Sequence, residues 1–272
     1  LPLFGDSPAG LCTANDAENS LGWINRMGTP HRGESNSLIS ASAISTQSMS
    51  MLHTDDVNEI LTLMNPGDDP VLECMEDQAN REEFPTVGHE VGAFFRLCAR
   101  LMDAESVFEF GSRFGYSAYW MAPAIGPAGR IVLTEVDEEE LDQARTYFEQ
   151  GGYADRAVFE RGDALEIVDR YDGPFDLVHL DHENERYLAG FETVREKVSQ
   201  GGMIVADNVL HSGDAMSPAD LRAVLDGPHS PEEGSSLAGI AEYYTHVIDD
   251  PEFETSVVPV GEGIFVSVRT EA

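Results

Sequence analysis

From Ser106 to Ala206 short apolar runs alternate with amphipathic stretches, and this alternation constrains the fold more than any other feature of the chain. The apolar runs fall at 106–110, 130–135, 157–161, 175–180 and 202–206. Near-continuous apolar character over so few residues reads as strands buried on both faces of a sheet. The intervening stretches at 116–125, 138–150, 164–171 and 185–199 have helical periodicity. Strand, crossover helix and parallel strand, repeated to give five strands, predict a doubly wound sheet. A polar insertion with Pro218, Pro228 and Pro231 follows, then a predicted helix at 237–248 and two β-rich runs at 253–260 and 263–268. Gly261-Glu262-Gly263 between those runs reads as a hairpin turn. The expected fold class is α/β, a doubly wound, mostly parallel seven-stranded sheet with an antiparallel C-terminal hairpin.

Upstream the pattern changes. Residues 1–50 are rich in Ser, Asn and Gly and carry only four acids and two arginines. They read as a disordered leader, or as an extension from a misplaced start with Met49 or Met51 as the true beginning. Residues 51–103 read as N-terminal helices packed on the core. One begins at a Thr54 or Asp55 cap, with Val57, Ile60, Leu61 and Met64 on one face, and breaks at Asn65-Pro66-Gly67. A second is predicted near 71–82. A third, near 88–102, presents Val91, Phe94, Phe95, Leu97, Cys98 and Leu101. The core then occupies 104–272.

Composition restricts the partners. Fifty acids stand against 16 basic residues, a net charge of −34, and Lys197 is the single lysine. The acids are dispersed, which reads as adaptation to very high salt of the haloarchaeal type, where screening shortens to about 3 Å at 1 M. Such a surface argues against nucleic acid and anionic membranes. No apolar run approaches the ~18 residues of a membrane span. Cys12, Cys74 and Cys98 lack metal-ligand spacing and read as reduced thiols of a cytoplasmic protein, with Cys98 in the core.

Ligands of open α/β sheets bind beyond the carboxyl ends of the strands, so the residues there are the candidates for chemistry. Glu109-Phe110-Gly111-Ser112-Arg113-Phe114-Gly115-Tyr116-Ser117 leads from the first strand into a helix, and its glycines permit a tight turn and close approach to a ligand. Their spacing differs from G-x-G-x-x-G, which disfavours a nicotinamide-dependent dehydrogenase. Glu135 ends the second strand, where an acid can accept hydrogen bonds from ribose hydroxyls. Asp163, after the third, can bind an adenine amino group or cap a helix. Asp181 ends the fourth and Asp207-Asn208 the fifth, and two acids with an amide make an oxygen cage for a hard divalent cation.

This ordered set resembles the cation-dependent class I O-methyltransferases, the group of catechol and caffeoyl-CoA O-methyltransferases. Glu109-Phe110-Gly111 with Gly115-Tyr116-Ser117 is similar to the family's first S-adenosylmethionine motif. Asp181-His182 with Arg186-Tyr187, and Asp207-Asn208-Val209, are similar to its catechol-type motifs. Phe84-Pro85-Thr86-Val87-Gly88 with Glu90 resembles the segment that closes over cofactor and substrate, and 250–254 with 259–263 the C-terminal hairpin. The resemblance covers about residues 70–270. It implies a Rossmann-like methyltransferase fold, S-adenosylmethionine as cofactor, and Mg²⁺ or another divalent cation held by Asp181, Asp207 and Asn208. It further implies that Glu109, Gly111, Ser117 and Val87 serve the cofactor, with Glu135 at the ribose and Asp163, Asp181 and His182 near the adenosyl group. The partner is then a small-molecule acceptor with vicinal oxygens, and a homodimer is an assembly that the family allows.

One departure matters. The family usually has a lysine, taken as general base, three residues after the first metal aspartate. Here that position is Asn184, which cannot accept a proton, and Lys197 lies too far along the chain to replace it. His211 and His182 are the candidate bases by intrinsic pKa, and each is equally a plain pocket wall. His179, on a strand, is expected to be buried and hydrogen-bonded. Glu242 resembles an acidic position near the catechol-type acceptor and otherwise reads as a solvated helix face. Arg113 is expected to contact an acidic substrate or to pair with a carboxylate, and Tyr119 and Trp120 to pack. The alternative function is a non-catalytic or weakly catalytic adenosyl-ligand binder on the same fold.

Overall fold

Asp69 and Pro70 set the start of α1 (Pro70–Arg81): the Asp69 carboxylate accepts the Val71 N–H at 2.9 Å, and Pro70 occupies the first turn, where no N–H is needed. The computed structural model describes residues 69–270 except 214 and 228, together with 60, 63 and 64. The expected leader at 1–50 lies outside the described residues. So does the helix predicted from Thr54 with its break at Asn65-Pro66-Gly67, apart from those three positions.

A second helix, α2 (Gly88–Leu101), leads into β1 (Ser106–Phe110), α3 (Tyr116–Met121), β2 (Arg130–Glu135), α4 (Glu138–Gln150) and β3 (Ala157–Arg161). Then come α5 (Ala164–Ile167), β4 (Phe175–Leu180), α6 (Tyr187–Val194), β5 (Val198–Ala206), α7 (Pro218–Leu225), α8 (Ser236–Ile248), β6 (Phe253–Val258) and β7 (Ile264–Arg269). The seven strands lie in the order β3-β2-β1-β4-β5-β7-β6. β1 to β5 are parallel, and β7 is antiparallel to both β5 and β6, as the patterning predicts. Winding reverses between β1 and β4, which opens a crevice at their carboxyl ends.

Both faces are covered because successive side chains of a strand point to opposite sides. In β1, Val107 joins a layer with Phe95, Trp120, Tyr147 and Phe148, while Phe108 and Phe110 join Tyr187, Phe191, Tyr243 and Phe265 on the other face. Tyr119 and Trp120 are fully buried packing residues, as expected. Cys98 is a buried free thiol whose pKa burial pushes up to about 11. Cys74 is disulfide-bonded, against the expectation of a reduced thiol. Among the described residues no helix is long and apolar enough to cross a membrane.

Four sequence expectations need correction. The apolar stripe of α2 is Val91, Phe95 and Cys98, whereas Leu97 and Leu101 are 53% and 76% exposed. α3 ends at Met121, two residues before Pro123, whose missing N–H cannot continue a helix. The stretch 185–199 is not one helix: α6 is flanked by 3-10 turns at Asn184–Arg186 and Arg195–Lys197, and Val198 and Ser199 already belong to β5. The polar insertion contains α7, started by a capping box between Ser217 and Asp220 with Pro218 in its first turn.

Gly92 marks the closest approach of α2 to α3. A Cβ there would lie 2.4 Å from Trp120 Cδ1, and the indole is fully buried with nowhere to retreat. Gly92→Ala is therefore expected to lower unfolding free energy by about 1–3 kcal/mol through overpacking. Gly126→Ala, with open space around it, should stay within about 0.5 kcal/mol. Denaturant midpoints of the two variants check the contrast.

Candidate active site

The three strand tips around the crevice are fastened edge to edge. The Phe110 carbonyl accepts the Asp181 N–H at 3.0 Å, and the Leu180 carbonyl accepts the Asp207 N–H at 3.2 Å. Gly111, at φ +78°, carries the β1 loop over the β4 loop, and a Cβ there would stand 2.6 Å from the Asp181 carbonyl oxygen. Only glycine meets both demands. The result is a cavity of about 840 Å³ whose lining includes Gly111, Ser117, Asp181, Asp207 and Asn208. Residues 84–88 and 259–262 form further walls.

Asp181, Asp207 and Asn208 are held together by their own hydrogen bonds. Asn208 takes the left-handed conformation, φ 57°, which Asn tolerates better than most residues. Its N–H donates to Asp207 Oδ1 at 2.8 Å, and its Nδ2 donates to Asp181 Oδ1 at 3.2 Å. Asp207 is only 3% exposed. Burial pushes the pKa of both aspartates up, against the opposing pull of His179; the neighbouring charge of Asp207 adds to the rise at Asp181.

Behind the cavity floor, His179 Nδ1 and Glu109 Oε1 are 2.9 Å apart, and both residues are 0% exposed. The Ser117 hydroxyl donates to the same Glu109 oxygen. Burial alone would lower the His179 pKa, but the Glu109 hydrogen bond and the charges of Glu109, Asp181 and Asp207 outweigh it and leave it raised. His179 Nε2 is buried without a hydrogen-bond partner. An imidazole nitrogen of His179 and a carboxylate oxygen from each of Asp181 and Asp207 lie within 4.8 Å of one another. Two carboxylates drawn out of water far enough to favour the neutral form, near a buried imidazole with one unpartnered nitrogen, are a donor set suited to a divalent cation.

The other predicted positions are distributed as follows. Val87 lines the cavity with Gly111 and Ser117. Glu135 stands at the β2 tip, off the lining, and accepts N–H groups from Arg113 at 2.9 Å, Val136 at 2.7 Å and Asp137 at 3.0 Å. Asp163 caps α5 through the Leu165 N–H at 3.0 Å and pairs with Arg186 at 2.6 Å. The His182 ring lies near both Phe110 and Tyr187, with centroid distances of 5.2 and 5.3 Å, and burial pushes its pKa down to about 4. Asn184 Oδ1 accepts the Ser212 hydroxyl at 3.3 Å. His211 is half-exposed and 3.4 Å from Glu262. Glu242 is exposed on α8 in a shallow depression with Leu188, Thr245 and His246, not on the cavity wall. Arg113 pairs with Glu140 at 3.3 Å and lies 3.4 Å over the Phe84 ring, taking the carboxylate-pairing option.

Glu90, expected in the closing segment, and Glu262, expected in the hairpin turn, both reach the cavity wall, and so does Ser212, which the sequence does not single out. Sequence reasoning also missed that His179 stands beside both aspartates. The signal was available: His179 precedes Asp181 by two residues at the end of β4, the spacing that repeats a strand face.

Comparison with known proteins agrees with this architecture. The profile of the O-methyltransferase family matches residues 68–270. The catechol O-methyltransferase of Mycobacterium tuberculosis is 33% identical over 168 residues, covering 61% of this chain and 76% of the relative. The caffeoyl-CoA O-methyltransferase of Eucalyptus gunnii is 26% identical over 217 residues, covering 75% and 82%. The crystal structure of the O-methyltransferase from Bacillus cereus in complex with SAH superposes with a TM-score of 0.68 at 23% identity, covering 79% of this chain and 97% of that one. The sheet is thus the Rossmann-like methyltransferase fold, and with the family profile spanning the described core, the chain belongs to the O-methyltransferase family of enzymes.

Proposed function

We propose that the protein transfers the sulfonium methyl of S-adenosylmethionine to a hydroxyl of a small catechol-like or vicinal-diol acceptor, with Mg²⁺ or another divalent cation at Asp181, Asp207 and Asn208. The observation that carries this reading is the convergence of those three side chains in the cavity beside the Gly111 loop. Methyl transfer is an in-line displacement, so the acceptor oxygen must arrive deprotonated, close and aligned. A bound cation supplies the positive charge that lowers the hydroxyl pKa and fixes two adjacent oxygens.

The chain's own residues divide the remaining work. Val87, Gly111 and Ser117 lie against the methionine part of the cofactor. Glu135 takes the ribose: a carboxylate offers about four lone-pair positions, and three are engaged by backbone N–H groups. Asp163 and His182 border the adenine. Asn184 leaves the usual lysine position without a base. Of the two histidines, burial weakens His182 as a base, so the role falls to His211, half-exposed beside the wall residue Glu262. The relatives named for catechol and caffeoyl-CoA support an oxygen acceptor with vicinal hydroxyls. The excess of 50 acids over 16 bases is read as adaptation to concentrated salt, so assays belong in molar KCl.

Calorimetry with S-adenosylhomocysteine should show binding, and NAD should not bind. Turnover on a catechol panel with Mg²⁺ should cease on addition of EDTA. Adenosyl binding without turnover on any acceptor would favour the non-catalytic reading that Asn184 suggests, and no adenosyl binding would sink both.

A further inference from the structure

We infer that His179 is a fourth protein ligand of the same cation, beside Asp181, Asp207 and Asn208, making the site a carboxylate–imidazole centre that prefers Mn²⁺ or Co²⁺ to Mg²⁺. This rests on the reading of Asp181 and Asp207 as cation ligands and extends it.

A strand histidine with no exposure usually satisfies both ring nitrogens within the protein. Here only Nδ1 has a partner, Glu109 at 2.9 Å, and Nε2 is buried with none. The Glu109 contact fixes the tautomer that carries hydrogen on Nδ1, which leaves the Nε2 lone pair as the one able to ligate. A carboxylate holding the far nitrogen of a metal-binding imidazole is the usual outer support of such ligands. Its own anchoring by the Ser117 hydroxyl keeps it in place.

The distances are compatible. One ring nitrogen of His179 and an oxygen of each aspartate fall within 4.8 Å of one another. Two ligands each about 2.1 Å from one ion stand at most about 4.2 Å apart, so donors gathered this closely need only draw inward to share an ion. His179 and Asp181 then come from the end of β4, and Asp207 and Asn208 from the end of β5, two adjacent strand tips fixed by the Leu180–Asp207 backbone hydrogen bond. An all-oxygen set suits Mg²⁺, whereas an imidazole nitrogen in the set moves preference along the first-row series toward ions that accept nitrogen.

The test uses the full chain, stripped with a chelator and loaded with Mn²⁺ in the presence of S-adenosylhomocysteine. Pulsed electron paramagnetic resonance of the wild type should show modulation from a directly bound imidazole nitrogen. His179→Gln should retain Mn²⁺ but lose that modulation, and the ratio of Mn²⁺ to Mg²⁺ affinity should fall by about tenfold or more. Should His179→Gln fail to fold, the wild-type spectrum decides alone. Bound Mn²⁺ that Asp207→Asn removes but that shows no nitrogen coupling would overturn the role of His179 and leave the cation site standing. A wild-type chain that retains no divalent ion would overturn both.

Discussion

Asp207→Asn is expected to lower methyl transfer about a thousandfold at saturating acceptor, a loss of about 4 kcal/mol of transition-state stabilisation. S-adenosylhomocysteine should still bind, because the cofactor loop is built from β1, with its affinity changed only by the factor that links it to the ion. Folding should respond in the opposite direction. Burial raises the Asp207 pKa, so the native state holds that proton more tightly than the unfolded chain does. The protonated carboxyl therefore contributes stability that is complete below about pH 4, the unfolded value, and is lost as pH rises through the raised native value. Asp181 and His179 are raised as well and act with the same sign. The chelated wild type should lose stability from pH 4 through neutrality, and a divalent ion should restore it. The amide that replaces the Asp207 carboxyl has no proton to lose, so the chelated variant should show a shallower decline. Denaturation series with and without chelator measure this. A variant as active as wild type would remove Asp207 from the site.

Glu109→Ala has the largest expected effect on stability, about 3–5 kcal/mol, the usual consequence of removing one partner of a fully buried ionic contact. Both Glu109 and His179 are 0% exposed, and the Ser117 hydroxyl would lose its acceptor at the same time. At about 2–4 °C per kcal/mol for a domain of this size, the melting temperature should fall by about 10 °C. Glu109→Gln keeps an oxygen able to accept from both groups and should recover part of the loss. A shift below about 1 kcal/mol in Glu109→Ala would show that the pair contributes little to holding β1 against β4.

The central sheet was readable because its strands are buried on both faces, so their apolar runs are nearly unbroken. The predicted bounds of β1 to β4 match the structure, as do those of α4, whose Asp137 cap accepts the Glu139 N–H at 2.8 Å. Reading failed where polarity hid local signals. α7 buries Leu221 alone, so it has no apolar stripe, and its capping box at Ser217 and Asp220 was the clue. β5 begins at Val198 and carries exposed Gln200 and Gly201 before its buried end, so its first half resembled the tail of a helix. At the site, Asp181, Asp207 and Asn208 were legible because each closely follows an apolar strand. His179 was not, because a buried histidine on a strand normally just satisfies its neighbours. Glu262 was seen only as part of a turn, since its closeness to the cavity depends on β7 pairing with β5.

The contact between Gly111 and the Asp181 carbonyl leaves no slack between two loops that would serve different ligands. Any shift of one loop is passed to the other across a rigid backbone junction. Occupancy by the adenosyl group and occupancy by the ion are then thermodynamically linked, and each must alter affinity for the other by the same factor. Whichever ligand arrives first, the other then meets a seat already shaped by it.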